Sequence, residues 1–307
     1  QDNLNQPQSA GCADRELTPE EQAIAAVQIP VTPGREFVSD TAWNSWVDSS
    51  YSGTSAQRHG LDAKARSGSL TVGTDRRLDN GVVLGFSAGI QNSHSSSFDG
   101  AMTSESNGFN IGPYIAYQYS PNWSFDAAVA YGHYNNQQQL LVLSGDYTSQ
   151  LYSVALNASG QYQWDEANIR PKLSFYYGHS TAKAYALSGA VFGTPLLLEM
   201  GGNSFNFGSV ATSVEMNRVY KSKDGTPYMP YGELSLRYEF ARANDGKMMS
   251  GDLSQVSTTP WAGGAHVGLR SVIGKATLID ANAGYLSLGQ QDLDSWELRL
   301  FLSHAFN

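Results

Sequence analysis

The stretch "GSLTVGTDRRLDNGVVLGFSAGI", from Gly68 to Ile90, decides the fold class of this chain. It reads as two β-strands joined at Asp79-Asn80-Gly81, because Asn-Gly is a strong short-range signal for a hairpin turn. In the second strand, apolar side chains alternate with glycine and serine. The apolar face holds Leu84, Phe86, Ala88 and Ile90, and the small face holds Gly85, Ser87 and Gly89.

The composition of the 307 residues is sparing in charge and rich in glycine and tyrosine, with 15% charged residues, 31 Gly and 17 Tyr. The formal net charge of −9 argues against nucleic acid as a partner, because phosphate binding needs a basic patch. Cys12 is the single cysteine, which excludes an internal disulfide. The sequence has no run of about 18 apolar residues, so a transmembrane helix is excluded, whereas a membrane protein made of strands is not.

Alternation with period two recurs from Trp43 to Asn307, and helical periodicity is nearly absent there. We therefore expect a β domain over residues 43–307 and a separate N-terminal segment over residues 1–42. The predicted strands, about twelve by this pattern, lie near 43–52, 68–78, 82–93, 108–119, 123–134, 150–164, 168–180, 205–220, 227–241, 260–272, 276–287 and 295–306.

Short and long connections alternate between these predicted strands. The short ones have tight-turn chemistry, as in "DNG", "SPN" and "KSKDGT". The long ones include "SHSSSFDGAMTSESN", "NNQQQLLVLSGDYTS" and "TAKAYALSGAVFGTPLLLEMGGN". Outer-membrane barrels have short periplasmic turns and longer outside loops, whereas a soluble sandwich has no physical reason to keep that order.

The predicted strands favour an apolar exterior and a polar interior. Aromatic residues such as Trp123 and Tyr131 bracket the apolar runs, which is typical of girdles at two membrane interfaces. Backbone groups in lipid must all be paired, so such strands have to close on themselves. We therefore predict an all-β fold, a 12-stranded antiparallel transmembrane β-barrel of the bacterial outer membrane. Leu84, Phe86, Ala88 and Ile90 are expected to face lipid.

The charged side chains on the opposite faces are then expected to line the lumen. Acid–base neighbours such as Glu233 with Arg237, or Glu297 with Arg299, can shape passage or only satisfy each other in a wet barrel, and both interpretations stay open. The predicted lumen-lining residues are Asp126, Arg170, Lys172, Glu233, Arg237, Glu239, Arg270, Glu297 and Arg299.

The stretch "LTVGTDRRLDNGVVLGFSAGIQNS" resembles the strand-turn-strand signature of autotransporter β-domains, the translocators of type V secretion. Gly73 and Asp75 match its Gly-x-Asp, residues 78–80 its turn, and residues 84–90 its apolar strand. The segments "WNSWVDSSYS" and "PYGELSLRYEF" resemble two further strands of such domains. The resemblance covers roughly 43–307 and implies a barrel that moves polypeptide across the outer membrane of a Gram-negative bacterium, with both termini toward the periplasm.

The C-terminal run "LRLFLSHAF" resembles the signal that the barrel-assembly machinery reads. The family usually ends on the aromatic residue, whereas Asn307 follows it here, and His304 stands where Tyr is common. The resemblance assigns the membrane-assembly signal to Leu298, Leu300, Leu302 and Phe306.

The N-terminal segment contains one predicted helix, near residues 16–29. Thr18 is its predicted N-cap, Pro19 its first residue and Glu21 the N3 residue of a capping box. Ile24 and Val27 continue the helical stretch.

A helix of about ten residues is marginal alone in water and needs a surface to lean on. We expect it to plug or gate the lumen, with Glu16, Glu20 and Glu21 facing lumenal Arg and Lys side chains. The alternative is a periplasmic tail in which the helix forms only transiently.

Two His-Ser neighbours invite comparison with twelve-stranded outer-membrane phospholipases, which use a His-x-Ser pair with a nearby Asn. They are His94 with Ser96 near Asn92, and His179 with Ser180. Both pairs lie where a strand passes into a connection, and such neighbours are expected by chance in a Ser-rich chain. We therefore predict no enzyme activity. The six His lack metal-ligand spacing and no phosphate loop opens a helix, so no metal or cofactor is predicted.

These patterns together predict an outer-membrane pore that translocates polypeptide to the cell surface, with an N-terminal helix as its plug or gate. The expected partners are outer-membrane lipid, the barrel-assembly machinery and the translocated polypeptide. About 42 residues precede the first strand, few for a typical passenger, which keeps open a stand-alone export channel for a separate protein such as an amyloid subunit. That alternative is similar to the trimeric Pseudomonas functional-amyloid exporters and allows a homotrimer. A small-solute porin and a phospholipase are the remaining alternatives.

Overall fold

The computed structural model of the protein describes residues 41–56, 62–223, 225–242, 259–274, 276–291 and 293–306. The helix predicted near 16–29 lies outside them. Among the described residues, no helix is long and apolar enough to cross a membrane. The strands are β1 (Trp43–Ala56), β2 (Ala63–Arg77), β3 (Val82–Ser97), β4 (Met102–Ser120), β5 (Trp123–Leu140), β6 (Leu143–Gly160), β7 (Tyr162–Trp164), β8 (Ala167–Ala182), β9 (Tyr185–Val191), β10 (Thr194–Met200), β11 (Asn203–Asn217), β12 (Tyr220–Lys221), β13 (Pro227–Ala241), β14 (Trp261–Ile273), β15 (Thr277–Leu288) and β16 (Leu293–Phe306).

Within the described residues, twelve of these strands form one closed antiparallel barrel, as predicted. They are β1 to β6, β8, β11 and β13 to β16, each paired with its neighbours in chain order. The barrel closes where β1 pairs with β16, from Trp43 opposite Phe306 to Ala56 opposite Leu293. Strands β9 and β10 form a further hairpin that is not part of the twelve-stranded wall and pairs with β6 at Ser144 and Ser188.

The turn between β2 and β3 has the geometry that its sequence predicts. The backbone N–H of Gly81 donates to the Leu78 carbonyl at 2.9 Å, and Gly81 has a φ of 81°. The side-chain oxygen of Asn80 accepts from the N–H of Val82 at 3.1 Å. Only glycine adopts such a φ without steric cost, so this position fixes where the chain reverses.

Three of the connections predicted as loops consist largely of paired strand. β3 and β4 continue to Ser97 opposite Met102, and β5 and β6 continue to Leu140 opposite Leu143. The connection after β8 contains the hairpin of β9 and β10. The predicted strand ends were placed where apolar alternation stops. Beyond the bilayer both faces meet water, so Ser-, Asn- and Gln-rich segments pair without that alternation.

The hairpin of β9 and β10 packs on the lumenal face of the extended β5–β6 hairpin. The rings of Tyr147 and Tyr185 stack at 4.4 Å, and burial raises the pKa of both hydroxyls above the ordinary tyrosine value. A Cβ on Gly145 would lie 2.3 Å from the backbone oxygen of Ala186. Glycine there is what lets the two hairpins cross in backbone contact.

The exterior of the barrel is apolar, as the alternation in β3 illustrates. Leu84, Phe86 and Ile90 are exposed, Ile90 by 62%, whereas Gly89 on the other face is buried. Val83, on the same inward face as Gly89, is fully buried. The apolar side therefore faces outward toward lipid and the small side faces inward, as predicted for an outer-membrane barrel.

Aromatic side chains ring the exterior at two levels. At the end with the short turns, the indole N–H of Trp123 donates to the Tyr162 hydroxyl at 2.8 Å. Toward the other end, ring pairs such as Tyr51 with Trp296 and Tyr238 with Trp261 lie within 5.6 and 4.7 Å. Such belts mark the two membrane–water interfaces.

The lumen is packed at its short-turn end. Trp46, Met229, Leu278 and Phe301 form a buried cluster there, and the ring of Tyr114 packs against it. The four clustered residues lie on β1, β16, β15 and β13, one continuous part of the wall, so the cluster narrows the bore from that side. Leu278 and Phe301 of the cluster also line the open part of the lumen.

Candidate functional site

The lumen above this cluster contains a cavity of about 560 Å³. Small and polar side chains from β5, β6, β8, β11 and β13 to β16 form its wall. Of the nine predicted lumen residues, Glu239 does not line the cavity but lies two residues from Arg237, with which it pairs at 3.4 Å. The predicted residues that do line it are Asp126, Arg170, Lys172, Glu233, Arg237, Arg270, Glu297 and Arg299.

The floor of the cavity contains a buried ion-pair network centred on Arg270. Its guanidinium donates to both oxygens of Glu215, at 2.6 and 2.7 Å, and its Nε to Asp280 at 2.5 Å. Arg170 approaches Glu215 at 3.5 Å, and the hydroxyl of Tyr231 donates to Asp280 at 2.8 Å. The two cations and two carboxylates balance in charge, which is the condition under which buried ions are tolerated.

Three members of this network were absent from the predicted lumen residues. Glu215, Tyr231 and Asp280 all lie on inward-facing positions of β11, β13 and β15. The alternation of these strands carried the signal for the direction of each side chain. The pairing itself depends on register. Arg170 lies directly opposite Glu215 and Asp280 directly opposite Arg270 on neighbouring strands, whereas Arg270 reaches Glu215 across β13.

A second polar network crosses the closing seam of the barrel. The Trp46 indole donates to the Tyr114 hydroxyl at 2.8 Å, and that hydroxyl donates to Asp75 at 2.9 Å. The Asn44 amide approaches Asp75 at 3.4 Å, and the Ser303 hydroxyl donates to Asn44 at 2.7 Å. The network therefore ties β1, β2 and β4 to β16.

The Gly-x-Asp segment of β2 has a clear steric role in this network. A Cβ on Gly73 would lie 2.3 Å from the Trp46 ring, and one on Gly85 would lie 2.1 Å from the Tyr114 ring. Both rings lie flat against bare backbone, which positions their polar atoms near Asp75. Gly73 and Gly85 thus leave room for the two aromatic rings, and Asp75 accepts a hydrogen bond from one of them, Tyr114.

Higher on the wall, charged groups pair across neighbouring strands. Arg299 on β16 donates through Nε to Asp48 on β1 at 2.8 Å. The Asn157 amide donates to Asp126 at 2.7 Å. Such pairs leave a wall that is polar and hydrated but locally neutralised.

The candidate catalytic residues are placed differently from a nucleophile–base pair. His94 lies 3.3 Å from Glu105 on the next strand. The ring nitrogens of His179 are 2.7 Å from Asn206 and 3.3 Å from Thr181, and Ser180 lies on the opposite face of the strand. In the described part of the chain, His, Cys, Asp and Glu form no group of three suited to a metal ion.

The residues of the predicted assembly signal lie together on the outer face of β16. This face is exposed along the strand, and its side chains point to lipid. They are Leu298, Leu300, Leu302 and Phe306. The predicted plug residues Thr18, Pro19, Glu20, Glu21, Ile24 and Val27 lie outside the described residues.

Comparison with known proteins gives one family. The family model described as "Autotransporter beta-domain" matches residues 42–284. The translocator domain of autotransporter NalP from Neisseria meningitidis is 13% identical, with a TM-score of 0.67 over 87% of this chain and 89% of that chain. The β-domain of the Bordetella autotransporter BrkA is 14% identical, with a TM-score of 0.67 over 86% and 100%. At these identities the likeness to solved structures is one of fold. No curated protein sequence matches this chain.

Proposed function

This chain belongs to the autotransporter β-domain family, and we propose that its lumen is the path by which a polypeptide crosses the outer membrane. The observation that carries the proposal is the apolar-out, polar-in barrel around a charged cavity of about 560 Å³. A passing chain needs hydration for its backbone groups, which such a wall supports. Pairs such as Arg299 with Asp48 leave few unbalanced charges to hold the chain.

The packed cluster narrows the bore at the short-turn end, and we propose that its side chains move aside when a chain passes. Arg270 and Arg170 share Glu215 and are held in the wall, as Arg299 is held by Asp48. These ion pairs keep the cylinder in register while the contents of the lumen change.

The N-terminal helix is proposed as the movable content of the lumen. Lys172 and Arg237 line the cavity as exposed cations. They are the lumenal groups best placed to receive Glu16, Glu20 and Glu21 of a helix that enters the bore. Opposite charges in a partly desolvated lumen attract more strongly than in bulk water.

The short turns are proposed to face the periplasm together with the strand ends at Trp43 and Phe306. The asymmetry between compact turns such as Leu78–Gly81 and the long β5–β6 hairpin supports this orientation. In this orientation β16 enters the membrane under the barrel-assembly machinery, with its apolar face as the recognition signal. A homotrimer formed through the outer face belongs to the alternative of a stand-alone export channel, and no catalytic step is part of the proposal.

Orientation is testable by cysteine labelling of intact cells. Cys12 is first replaced by serine, and single cysteines are then introduced at Phe192, on the β9–β10 tip, and at Asp79, in a short turn. A membrane-impermeant maleimide is expected to label Phe192→Cys on intact cells and Asp79→Cys only after the outer membrane is broken. The reverse labelling pattern would show that the short turns face the cell exterior and would contradict the proposed orientation.

Translocation is testable with a reporter domain fused ahead of residue 1 behind a secretion signal. The reporter is expected at the cell surface, where external protease removes it. The control carries the same fusion with β16 deleted, so that the barrel cannot close. A reporter retained in the periplasm beside a folded barrel would contradict the proposal.

A further inference from the structure

A groove of about 540 Å³ lies on the outside of the barrel at the short-turn end, between β7–β8 and β11–β13. Tyr231 belongs to the lining of both this groove and the lumen cavity, but Met216 of the groove lining is an outward-facing and exposed side chain. The groove thus opens on the surface that the barrel presents to lipid, at the level where the strands reach water.

The floor of the groove includes two residues with little or no side chain, Ala167 and Gly232. Met216 pairs with Gly232 on β13, and Ala167 and Pro230 lie in the next row toward the turns. The nearest atom to a Cβ placed on Gly232 is 4.0 Å away, so the space above this glycine is open. Two residues deeper on the same face, Leu234 is 68% exposed and continues the groove into the apolar band.

The rim of the groove carries one cation, Arg218, two carboxylates, Asp165 and Glu166, and aromatic rings. Arg218 and Glu166 form an ion pair between Nη2 and Oε2, and both side chains remain about half exposed. The Arg218 guanidinium lies 5.4 Å from the centre of the Tyr220 ring, and Trp164 stands at the edge of the groove. Aromatic rings at this depth suit the polar–apolar boundary of a bilayer.

We propose that this groove binds a zwitterionic glycerophospholipid. Its phosphate takes the Arg218 guanidinium, and its ammonium group takes the Glu166 carboxylate and the face of Trp164. One acyl chain then runs over Gly232 toward Leu234, in the space that the missing side chain leaves. A zwitterion matches the rim because each residue of the ion pair gains a new partner. The phosphate replaces Glu166 beside Arg218, and the ammonium group replaces Arg218 beside Glu166.

An anionic lipid fits this rim less well. Its phosphate still meets Arg218, but its headgroup has no cation for Glu166, so that carboxylate loses Arg218 as its partner without gaining another. The site therefore discriminates by headgroup. The proposed orientation of the barrel would place this lipid in the periplasmic leaflet, and that assignment rests on the proposed function. Binding of the lipid depends only on the fold.

The test is native mass spectrometry of the purified barrel in detergent, titrated separately with phosphatidylethanolamine and phosphatidylglycerol. The unmodified protein is expected to retain phosphatidylethanolamine in preference. Arg218→Gln is expected to weaken that binding about tenfold, since it removes a charge-assisted hydrogen bond. Glu166→Gln is expected to shift the preference toward phosphatidylglycerol.

Gly232→Leu fills the groove floor and is expected to abolish retention of the lipid. Its matched control is Gly68→Leu, another glycine with open space, where the nearest atom to a Cβ is 3.8 Å away. Folding of each variant is checked by the heat-dependent shift of its gel mobility. If Gly232→Leu fails to fold, the loss of lipid binding in Arg218→Gln is the test of the site. Equal binding of both lipids, or equal loss in both glycine variants, would overturn the site. Intact reporter export with lipid binding lost leaves the pore proposal standing, so the two are separable.

Discussion

The indole N–H of Trp46 donates a 2.8 Å hydrogen bond to the hydroxyl of Tyr114, 68 positions further along the chain. The two residues lie on β1 and β4, three strands apart in a barrel of twelve, so the bond links side chains across about a quarter of the wall. It is possible because both rings lie against glycine, Gly73 under Trp46 and Gly85 under Tyr114. The first strand is thereby tied on its lumenal side to a strand that it does not pair with.

Gly73→Ala and Gly85→Ala are expected to destabilise the barrel by about 1–3 kcal/mol each, since the added methyl must displace a packed ring. Urea unfolding of the barrel in detergent, followed by tryptophan fluorescence, measures the loss. Gly68→Ala is the control, because its Cβ would meet only the Tyr51 ring at 3.8 Å. Equal midpoints for Gly73→Ala and Gly68→Ala would contradict the steric account.

Glu215→Gln is expected to cost about 3–5 kcal/mol in the free energy of unfolding, because it leaves Arg270 and Arg170 with one carboxylate in a buried site. Glu233→Gln is the control, since Glu233 is more accessible and lies 3.9 Å from His266. Urea unfolding again gives the comparison. A Glu215→Gln variant as stable as Glu233→Gln would show that the network carries little of the stability.

Asp48→Asn removes the partner of Arg299 at the closing seam and leaves a lumenal cation uncompensated. The open pore is expected to shift toward anion selectivity, seen as a change of reversal potential across a planar bilayer under a KCl gradient. Asp99→Asn, in the tight turn beyond β3, changes the same charge away from the wall and is expected to leave the potential unchanged. An unaltered potential in Asp48→Asn would place Arg299 outside the ion path.

Removal of residues 1–35 is expected to raise single-channel conductance severalfold, because the proposed plug leaves the bore. Lys172→Glu combined with Arg237→Glu in the full chain is expected to act in the same direction, since it repels the acidic face of the helix. The double variant is expected to add no further increase in the truncated chain. Conductance that does not change on truncation would refute the plug.

Gly189→Ala is expected to free the β9–β10 hairpin without harming the barrel, since a Cβ there would lie 2.3 Å from the backbone oxygen of Val142. Limited proteolysis then cuts faster near residues 192–194, while the heat-dependent gel mobility of the barrel stays unchanged. Gly201→Ala, just after β10, is the control, because no atom lies within 4 Å of the added Cβ and its φ is not positive. A cleavage rate of Gly189→Ala equal to that of the unmodified protein would show that the close contact between Gly189 and Val142 does not hold the hairpin in place.

Local alternation was enough to predict the number of barrel strands and their outward faces. Each side chain's direction depends only on its own strand, so Leu84 and Ile90 were assigned correctly from β3 alone. The network around Arg270 was only partly foreseen, because Glu215 and Asp280 reach it through register across β11 to β15. The extent of the hairpins was missed for another reason: strands in water on both faces lack the apolar pattern that marks strands in lipid.

The pairing of β1 with β16 has a consequence for timing. All fourteen residues of the first strand pair on one edge with β2 and on the other edge with the last strand, β16, and Asn44 and Ser303 bond across 259 positions. A ribosome must therefore finish the whole domain before the cylinder can shut, since the seam has nothing to join earlier. For a passenger made upstream on the same chain, the pore is complete only after synthesis of the whole chain has ended.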